Sequence, residues 1–512
     1  MGYLPQVQIG FINSAGGGGN ELTTVPPKYF QELTYISYQK KWYTATATFF
    51  DPTYSDLEEA ILTSEFGKIN TQVDSQNHNF VTSADEIFNS SSTANVYEPN
   101  AGDPSTGAVV FSDKSPKKVQ IRFGVLKISG MSGWDPANSR KEEMVWSPKL
   151  SFAIKNLNPD FNDAGSNITL ELYAWHLAIL AQKQLSASFD GKRSDVFYKL
   201  FHDVLGFRNE DIIAMETDDE TSTESNPDGE KTTYATNGMS YQAFIENKLI
   251  PGARSKRTGQ ASYQFSMLPN GKVIFAPIGS DLWRQAGVST KIKSFNYLCG
   301  KNDNVISFRP NIRSDLLGTT GVGNAQARYY NPHTKKLEML PLNYETVTNK
   351  TVEAFTNFNK EINKDNPTII DLQNGWDRDV AISIAEKRWS ELAKMSQEAL
   401  LELHGTSDTV DICGGDIINV NVILPNGKLH YSSGKWFVKS ATHRITDSYT
   451  VTCDLFREFG KVGTKVTGKS DSTSFIKELE SLVENVSETV SEVGTVIDQA
   501  WDSFMNSIIG GV

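Results

Sequence analysis

Runs of aromatic and β-branched residues predict strands over both ends of the chain. Phe30 to Tyr38 and Trp42 to Phe50 are rich in Tyr, Thr, Ile and Phe, and the polar residues 39–41 between them are typical of a hairpin. Further strands are predicted at 119–126, 150–154, 168–175, 305–309, 325–330, 337–340, 417–424, 428–431, 435–444 and 450–457. We therefore predict β-rich domains at residues 1–187 and 305–465.

The middle of the chain changes to helical spacing. Residues 194–205 place apolar side chains on one side of an amphipathic helix, and residues 240–249 predict a second helix. The pair Asn270-Gly271 then predicts the turn of a hairpin. These features predict a small α/β module at residues 188–304, inserted between the two β-rich domains.

One long helix is predicted inside the second β-rich domain, from Arg378 to His404. Gly405 follows it as the expected C-cap. Apolar residues at helical spacing form a single stripe along it, made of Ala385, Trp389, Leu392, Ala399 and Leu403.

Residues 466–512 predict a linker and a C-terminal amphipathic helix. Apolar residues recur there at spacings of three and four, and the polar positions carry eight acidic residues against one lysine after residue 470. Such a stripe must be covered by its own domain, by symmetry mates as a coiled coil, or by another protein. The residues predicted to bind a partner are Leu479, Leu482, Val486, Val490, Val493, Ile497, Trp501 and Phe504.

Composition narrows the classes of function. The net charge of −12 argues against tight nucleic-acid binding, which depends on Lys and Arg displacing counterions. No apolar run approaches the roughly 18 residues of a membrane-spanning helix, and the N-terminus shows no secretory signal. Three cysteines do not make a disulfide framework. We expect an acidic multidomain protein made in a reducing cytoplasm, with an acidic loop at residues 216–230.

Motifs for catalysis are weak. Residues 463–470 match the P-loop pattern, but a P-loop domain needs a parallel sheet with a later Mg²⁺-binding Asp, and only 42 residues follow Ser470. The seven histidines show no zinc-ligand spacing, and no Cys-x-x-Cys or Gly-x-Ser-x-Gly occurs. We therefore predict no catalytic residues, no metal and no cofactor.

Three segments near the C-terminal end carry a family resemblance. Asp411 to Ile418 contains a Gly-Gly-Asp turn, Gly434 to Ile445 contains an aromatic-Val-x-Ser-x-x-His strand, and Tyr449 to Arg457 is a last amphipathic strand. Together they resemble the final barrel domain of baseplate hub proteins from contractile phage tails, including the late control protein family and type VI spike proteins. Residues 45–62, 195–207 and 240–277 are similar to earlier parts of these proteins, in the same order.

Strict alternation along the second of these segments predicts which side chains share a face of the sheet. One predicted face carries Trp436, Val438, Ser440 and Thr442, and the other carries Phe437, Lys439, Ala441 and His443.

The resemblance implies a mainly β fold with an α+β insertion: two tail-tube-like antiparallel β-barrels, the small α/β module and the C-terminal helix. It implies a non-enzymatic hub whose three copies form a ring that adapts the hexameric tail tube to the trimeric central spike. The implied partners are a homotrimer, the tail tube protein and the spike, with the tape-measure protein and baseplate wedge as further candidates. DNA would pass through the channel without specific binding, no membrane is involved, and the protein would sit in the virion tail baseplate after assembly in the host bacterial cytoplasm.

Two other hypotheses stay open at this point. A tail-fibre or glycan-binding depolymerase protein of the virion would also be β-rich, but it predicts strand repeats of fixed period that the sequence does not show. A P-loop ATPase would need nucleotide binding that depends on Lys469.

Overall fold

The structure is a computed structural model. It describes residues 5–12, 22–39, 42–54, 57–58, 61, 118–129, 141–182, 187–218, 233–257, 263–277, 280–286, 292–298, 304–312, 325–342, 344–346, 368–375, most of 380–388, 397–430, 432–457 and 460–462. Residues 1–464 form one compact unit and residues 465–512 a second, and the second lies outside the described residues.

Long strands dominate the N-terminal part. Its elements are β1 Pro5–Ile12, β2 Leu22–Thr24, a 3₁₀ turn Pro27–Tyr29, β3 Phe30–Tyr38, β4 Thr44–Asp51, β5 Lys118–Ser129, β6 Lys141–Trp146, β7 Leu150–Asn162, β8 Gly165–Ala174 and α1 Trp175–Gln182.

Short elements make up the middle part. They are β9 Ser188–Asp190, α2 Arg193–Lys199 with a π-helical continuation Leu200–Val204, a 3₁₀ turn Asn209–Asp211, β10 Ile212–Ala214, β11 Thr233–Ala235, α3 Tyr241–Phe244 with a π-helical continuation Ile245–Leu249, β12 Tyr263–Met267, β13 Val273–Pro277, α4 Asp281–Ala286 and β14 Lys293–Leu298.

Strands return in the C-terminal part. They are β15 Val305–Ile312, β16 Ala325–Asn331, β17 Lys336–Leu342, β18 Tyr344–Thr346, β19 Thr368–Gly375, β20 Gln397–His404, β21 Ile417–Ile423, β22 Gly434–Ile445, β23 Tyr449–Phe456 and β24 Gly460–Val462.

One large sheet contains strands from both ends of the chain. Its order is β15-β20-β23-β22-β3-β4-β8-β7-β5-β1-β2, with β21 and β14 branching from β22 and β6 paired to β5. The prediction of a mainly β fold with few helices is confirmed. Among the described strands no closed barrel is found, and β3 of the N-terminal part pairs with β22 of the C-terminal part.

Four smaller sheets are also present among the described residues. Within the described residues they are β10-β13-β12, β11-β9, β17-β16-β19 and β18-β24. The middle part contacts the N-terminal part through Phe265, which Trp42 meets edge-on at 4.8 Å. Inside the middle part, Phe275 stacks on Phe197 of α2 at 4.9 Å. The predicted helices and the Asn-Gly hairpin of this part are present.

The predicted helix from Arg378 to His404 is wrong over its last eight residues. The described residues of 380–388 are helical, but Gln397–His404 is the strand β20, with alternating buried and partly buried side chains. Ala399, Leu401 and Leu403 are buried, two residues apart. The period of two suits a sheet face, and pairing with β15 and β23 on both sides overrides the helix propensity of Leu, Glu and Ala.

Candidate functional site

The two ends of the chain meet along β22. One side of this strand pairs with β23, and the other side is shared: Gly434–Phe437 pair with β21, whereas Ser440–Ile445 pair with β3. The sheet therefore divides at Val438 and Lys439. We call this region, together with the turn 411–416 that fills it, the fork.

Main-chain hydrogen bonds close the fork from both sides. The Gly415 N–H donates to the Val438 carbonyl at 2.8 Å, and the Val438 N–H donates to the Asp416 carbonyl at 2.9 Å. From the end of β3, the Gln39 N–H donates to the Lys439 carbonyl at 2.9 Å. The dividing residues of β22 are thus held by the turn and by the N-terminal part together.

Two glycines allow the close approach. The Gly414 N–H donates to the Ser37 hydroxyl at 2.9 Å, and a Cβ on Gly414 would lie 2.4 Å from the carbonyl carbon of Tyr38. Gly415 has φ +99°, and a Cβ there would lie 2.8 Å from the Trp283 ring. No other residue type fits both positions without moving backbone or a buried ring.

His443 is the central polar side chain of the fork and is fully buried. Its Nδ1 is 2.7 Å from the Tyr449 hydroxyl, and its Nε2 is 2.7 Å from the Ile412 carbonyl oxygen. A carbonyl only accepts, so Nε2 carries the proton, and Nδ1 accepts from the tyrosine. Burial lowers the pKa of His443 to about 4, so the ring is neutral near pH 7. Nε2 therefore holds the turn and Nδ1 holds the start of β23, which is a structural role.

Charged groups lie beside the turn. Asp416 accepts the Cys413 N–H at 2.8 Å, and burial raises the pKa of its carboxyl to about 6. Lys293 of β14 forms an ion pair with Asp411, and burial lowers the pKa of this lysine although nearby Asp416 opposes the shift. This cluster ties β14 to the turn.

Aromatic rings from the N-terminal part enclose His443. Tyr35 of β3 lies 5.4 Å from the imidazole, and Phe123 of β5 lies 5.2 Å from it. Tyr35 also packs edge-on against Tyr43 and Phe152. Because β3 and β5 belong to one end of the chain and β22 to the other, this cluster makes the two ends share one hydrophobic core.

A second anchor lies at the start of β22. Trp436 is almost fully buried, its indole N–H donates to the Ser432 carbonyl at 3.1 Å, and the Arg457 guanidinium stacks 4.2 Å above its ring. Arg457 Nη2 also donates to the carbonyls of Ser432 and Ser433 at 2.8 and 2.9 Å, and burial lowers its pKa to about 10. The loop before β22 is therefore fixed to the end of β23.

The predicted faces of β22 are correct in its first half and wrong in its second. Trp436, Val438 and Ser440 are buried as one face, but His443 is also buried, whereas Thr442 is only partly buried. The cause is a shift of register between Val438 and Ser440 against β23, which exchanges the faces. Strict alternation in the sequence gives no sign of this irregularity.

The predicted partner-binding stripe lies outside the described residues, as do the P-loop match at 463–470 and most of the acidic loop 216–230. Within the described part of the chain, no group of three or more His, Cys, Asp and Glu side chains is placed to hold a metal ion. No described helix is long and apolar enough to cross a membrane.

Solved structures of phage tail and type VI proteins are similar to this chain. A 43 kDa tail protein of prophage MuSo2 from Shewanella oneidensis has 10% identity and a TM-score of 0.46, covering 88% of this chain and 98% of its own. A tail protein from Neisseria meningitidis MC58 has 10% identity and a TM-score of 0.44, covering 89% of this chain and 97% of its own. A Francisella PdpA–VgrG complex has 10% identity and a TM-score of 0.41, covering 92% of this chain and 60% of its own.

No family model and no curated protein sequence matches the chain. Similarity at these identities concerns the fold alone.

Proposed function

We propose that this chain is a structural baseplate hub protein of a contractile phage tail. Three copies form a ring that adapts the hexameric tail tube to the trimeric central spike and leaves a channel for DNA. The tube protein and the spike are direct partners, and the tape-measure protein and baseplate wedge are further ones. The protein acts in the virion after assembly in the host cytoplasm, and it has no catalytic role.

The fork is the observation that supports this proposal. An adapter between six-fold and three-fold symmetry must present two elements per chain at a fixed mutual angle, since a flexible joint would not hold six equivalent positions. In this chain the two ends are joined by β3–β22 pairing and by one core around His443. The segments that build the fork, 411–418 and 434–445, are also those that resemble hub proteins.

The charge of the chain is compatible with a DNA channel. Fixed positive charge around a moving duplex would bind phosphates and slow its release. A net charge of −12 avoids such binding.

The oligomeric state of the purified full chain tests the proposal. Mass photometry and sedimentation velocity are expected to give three times the mass of one chain, and negative-stain images are expected to show a ring with a central opening. A stable monomer at micromolar concentration, or an assembly without a central opening, would contradict the hub function.

A further inference from the structure

The small sheet β17-β16-β19 has one covered face. Ala327 and Tyr329 of β16 are buried there with Ile370 and Leu372 of β19, against Ala381 of the following helical segment. This face is a complete small core, so the sheet is held in place without using its other face.

The opposite face of the same sheet is open to solvent and carries four large apolar side chains beside the exposed Arg328–Asp371 ion pair. Leu337 is 70% exposed, Ile369 49%, Met339 46% and Tyr330 41%. Tyr330 lies directly across from Leu337 in the β16–β17 register. Of the eight large apolar side chains that are exposed in the described part of the chain, these are four. We call these four residues the sheet patch; Lys335 and Lys336, both exposed, lie at its rim.

A second apolar surface lies on the N-terminal part. Phe161, near the end of β7, is 61% exposed, and Tyr54 is 41% exposed. The Tyr54 hydroxyl donates to the Asp163 carbonyl at 3.0 Å, which places the two aromatic residues at the same end of the β7–β8 hairpin. Asp160 and Asp163 are exposed beside them. We call Tyr54, Asp160, Phe161 and Asp163 the hairpin tip.

Hydrogen bonds hold the backbone around Tyr54 in the hairpin tip. Asp51 accepts the N–H groups of Thr53 at 2.9 Å and Leu57 at 2.8 Å, which fixes the loop that carries Tyr54. The Ser166 hydroxyl of β8 donates to the Tyr54 carbonyl at 3.1 Å. An apolar side chain held out to water on a fixed loop favours binding, because little conformational entropy is lost when it is covered.

The two surfaces are complementary. Each offers large apolar side chains, and the acidic side chains of the hairpin tip match the two lysines at the rim of the sheet patch. They are different surfaces of one chain, so a contact between the hairpin tip of one copy and the sheet patch of another repeats head to tail, and it closes a ring when the rotation between successive copies is one third of a turn. We propose that the sheet patch of each copy binds the hairpin tip of the next copy. This inference rests on the ring assembly proposed above.

Truncation of the apolar side chains tests the contact. Phe161→Ala and Leu337→Ala, each in the full chain, are expected to raise the apparent dissociation constant of the oligomer at least tenfold in a sedimentation concentration series. Leu429→Ala, which truncates an apolar side chain that is 40% exposed elsewhere, is the matched control and is expected to change it less than twofold. Circular dichroism and the thermal unfolding midpoint check that each variant folds.

Charge reversal tests the pairing. Lys335→Glu with Lys336→Glu, and Asp160→Lys with Asp163→Lys, are each expected to weaken the oligomer. An equimolar mixture of the two double variants cannot restore a closed ring of three, because at least one contact then joins two copies of the same variant, whose facing charges repel. The chain carrying all four changes is expected to assemble within threefold of the wild type. No rescue in the fourfold variant would contradict the pairing.

Disulfide crosslinking tests which surface lies against the sheet patch. Phe161→Cys with Leu337→Cys is expected to give covalent dimers and trimers under mild oxidation, whereas Phe161→Cys with Leu429→Cys gives only the wild-type background. A wild-type ring that none of these variants changes overturns the inference and leaves the hub function standing, whereas a monomeric wild type overturns both. Crosslinks within one copy, or lost tail-tube binding with an unchanged ring, would also overturn it.

Discussion

Acid stability should depend on two groups of the fork, His443 and Asp416, whose pKa values are shifted in opposite directions. The pKa of His443 falls from 6.5 to about 4 on folding, so folded protein binds fewer protons there, and stability is lost as the pH falls from 6.5 toward 4. The pKa of Asp416 rises from 3.8 to about 6, so its contribution is full below about pH 4 and is lost as the pH rises through 6.

The magnitudes follow from these shifts. At 1.36 kcal/mol per pKa unit, the histidine loses up to about 3 kcal/mol on acidification, and the aspartate gains up to about 3 kcal/mol over the same range. In the wild type the two effects nearly cancel between pH 6.5 and 4. Removing one of the two groups should therefore reveal the pH dependence of stability that the other one causes.

The test compares the wild type with His443→Gln and Asp416→Asn. Urea unfolding is followed by tryptophan fluorescence at pH 7, 6, 5 and 4.5, at one fixed protein concentration. Relative to the wild type, His443→Gln should gain about 2 kcal/mol of stability between pH 7 and 4.5, and Asp416→Asn should lose about 2 kcal/mol. Profiles of both variants that run parallel to the wild type would refute the assignment of these two groups.

Four further outcomes are expected. Gly414→Val should destabilise the chain by about 3 kcal/mol or more and make the two ends separable by limited proteolysis, since its side chain meets the backbone of Tyr38 and Gln39. Trp436→Ala should cost about 3–5 kcal/mol in urea unfolding, because it leaves a cavity and removes the stacking partner of Arg457. Deletion of residues 471–512 should weaken ring assembly or partner binding in sedimentation, and unchanged assembly and binding would exclude the predicted stripe as an assembly element. Lys293→Met should destabilise the chain by about 1–3 kcal/mol by leaving Asp411 without its ion pair, and Lys293→Arg should recover part of that loss.

Local sequence signals predicted most of the strands that form the fork. β3 has the predicted bounds, and β22 and β23 lie within one residue of theirs, because aromatic and β-branched runs bounded by turn residues are typical of strands. The sequence could not predict that β3 pairs with β22, some 400 residues away, since pairing partners depend on tertiary packing. Nor could it predict the irregularity at Val438 and Ser440, which turns His443 into the core.

The misassigned strand Gln397–His404 shows why helical spacing alone was insufficient. Ala399, Leu401 and Leu403 alternate with Glu398, Leu400 and Glu402. Over eight residues this pattern satisfies a period of two and a period of 3.6 about equally. The high helix propensity of Leu, Glu and Ala then favours a helix in the prediction. In the folded chain the segment lies between β15 and β23, where both edges form ladder hydrogen bonds, and that gain outweighs the propensity.

The fork joins the strands that carry the hairpin tip to the C-terminal strands of the large sheet. The hairpin tip extends from β7 and β8, which reach the fork through β4 and β3, whereas β20 and β23 lie on its other side. A ring closes only if each copy holds its surfaces at nearly the same angle, and a small error per copy accumulates around the ring. Hydrogen-bonded strand pairing is stiff in that direction, whereas a loop connection is not. The buried glycines and the neutral His443 let the two ends of the chain approach closely enough to form one sheet.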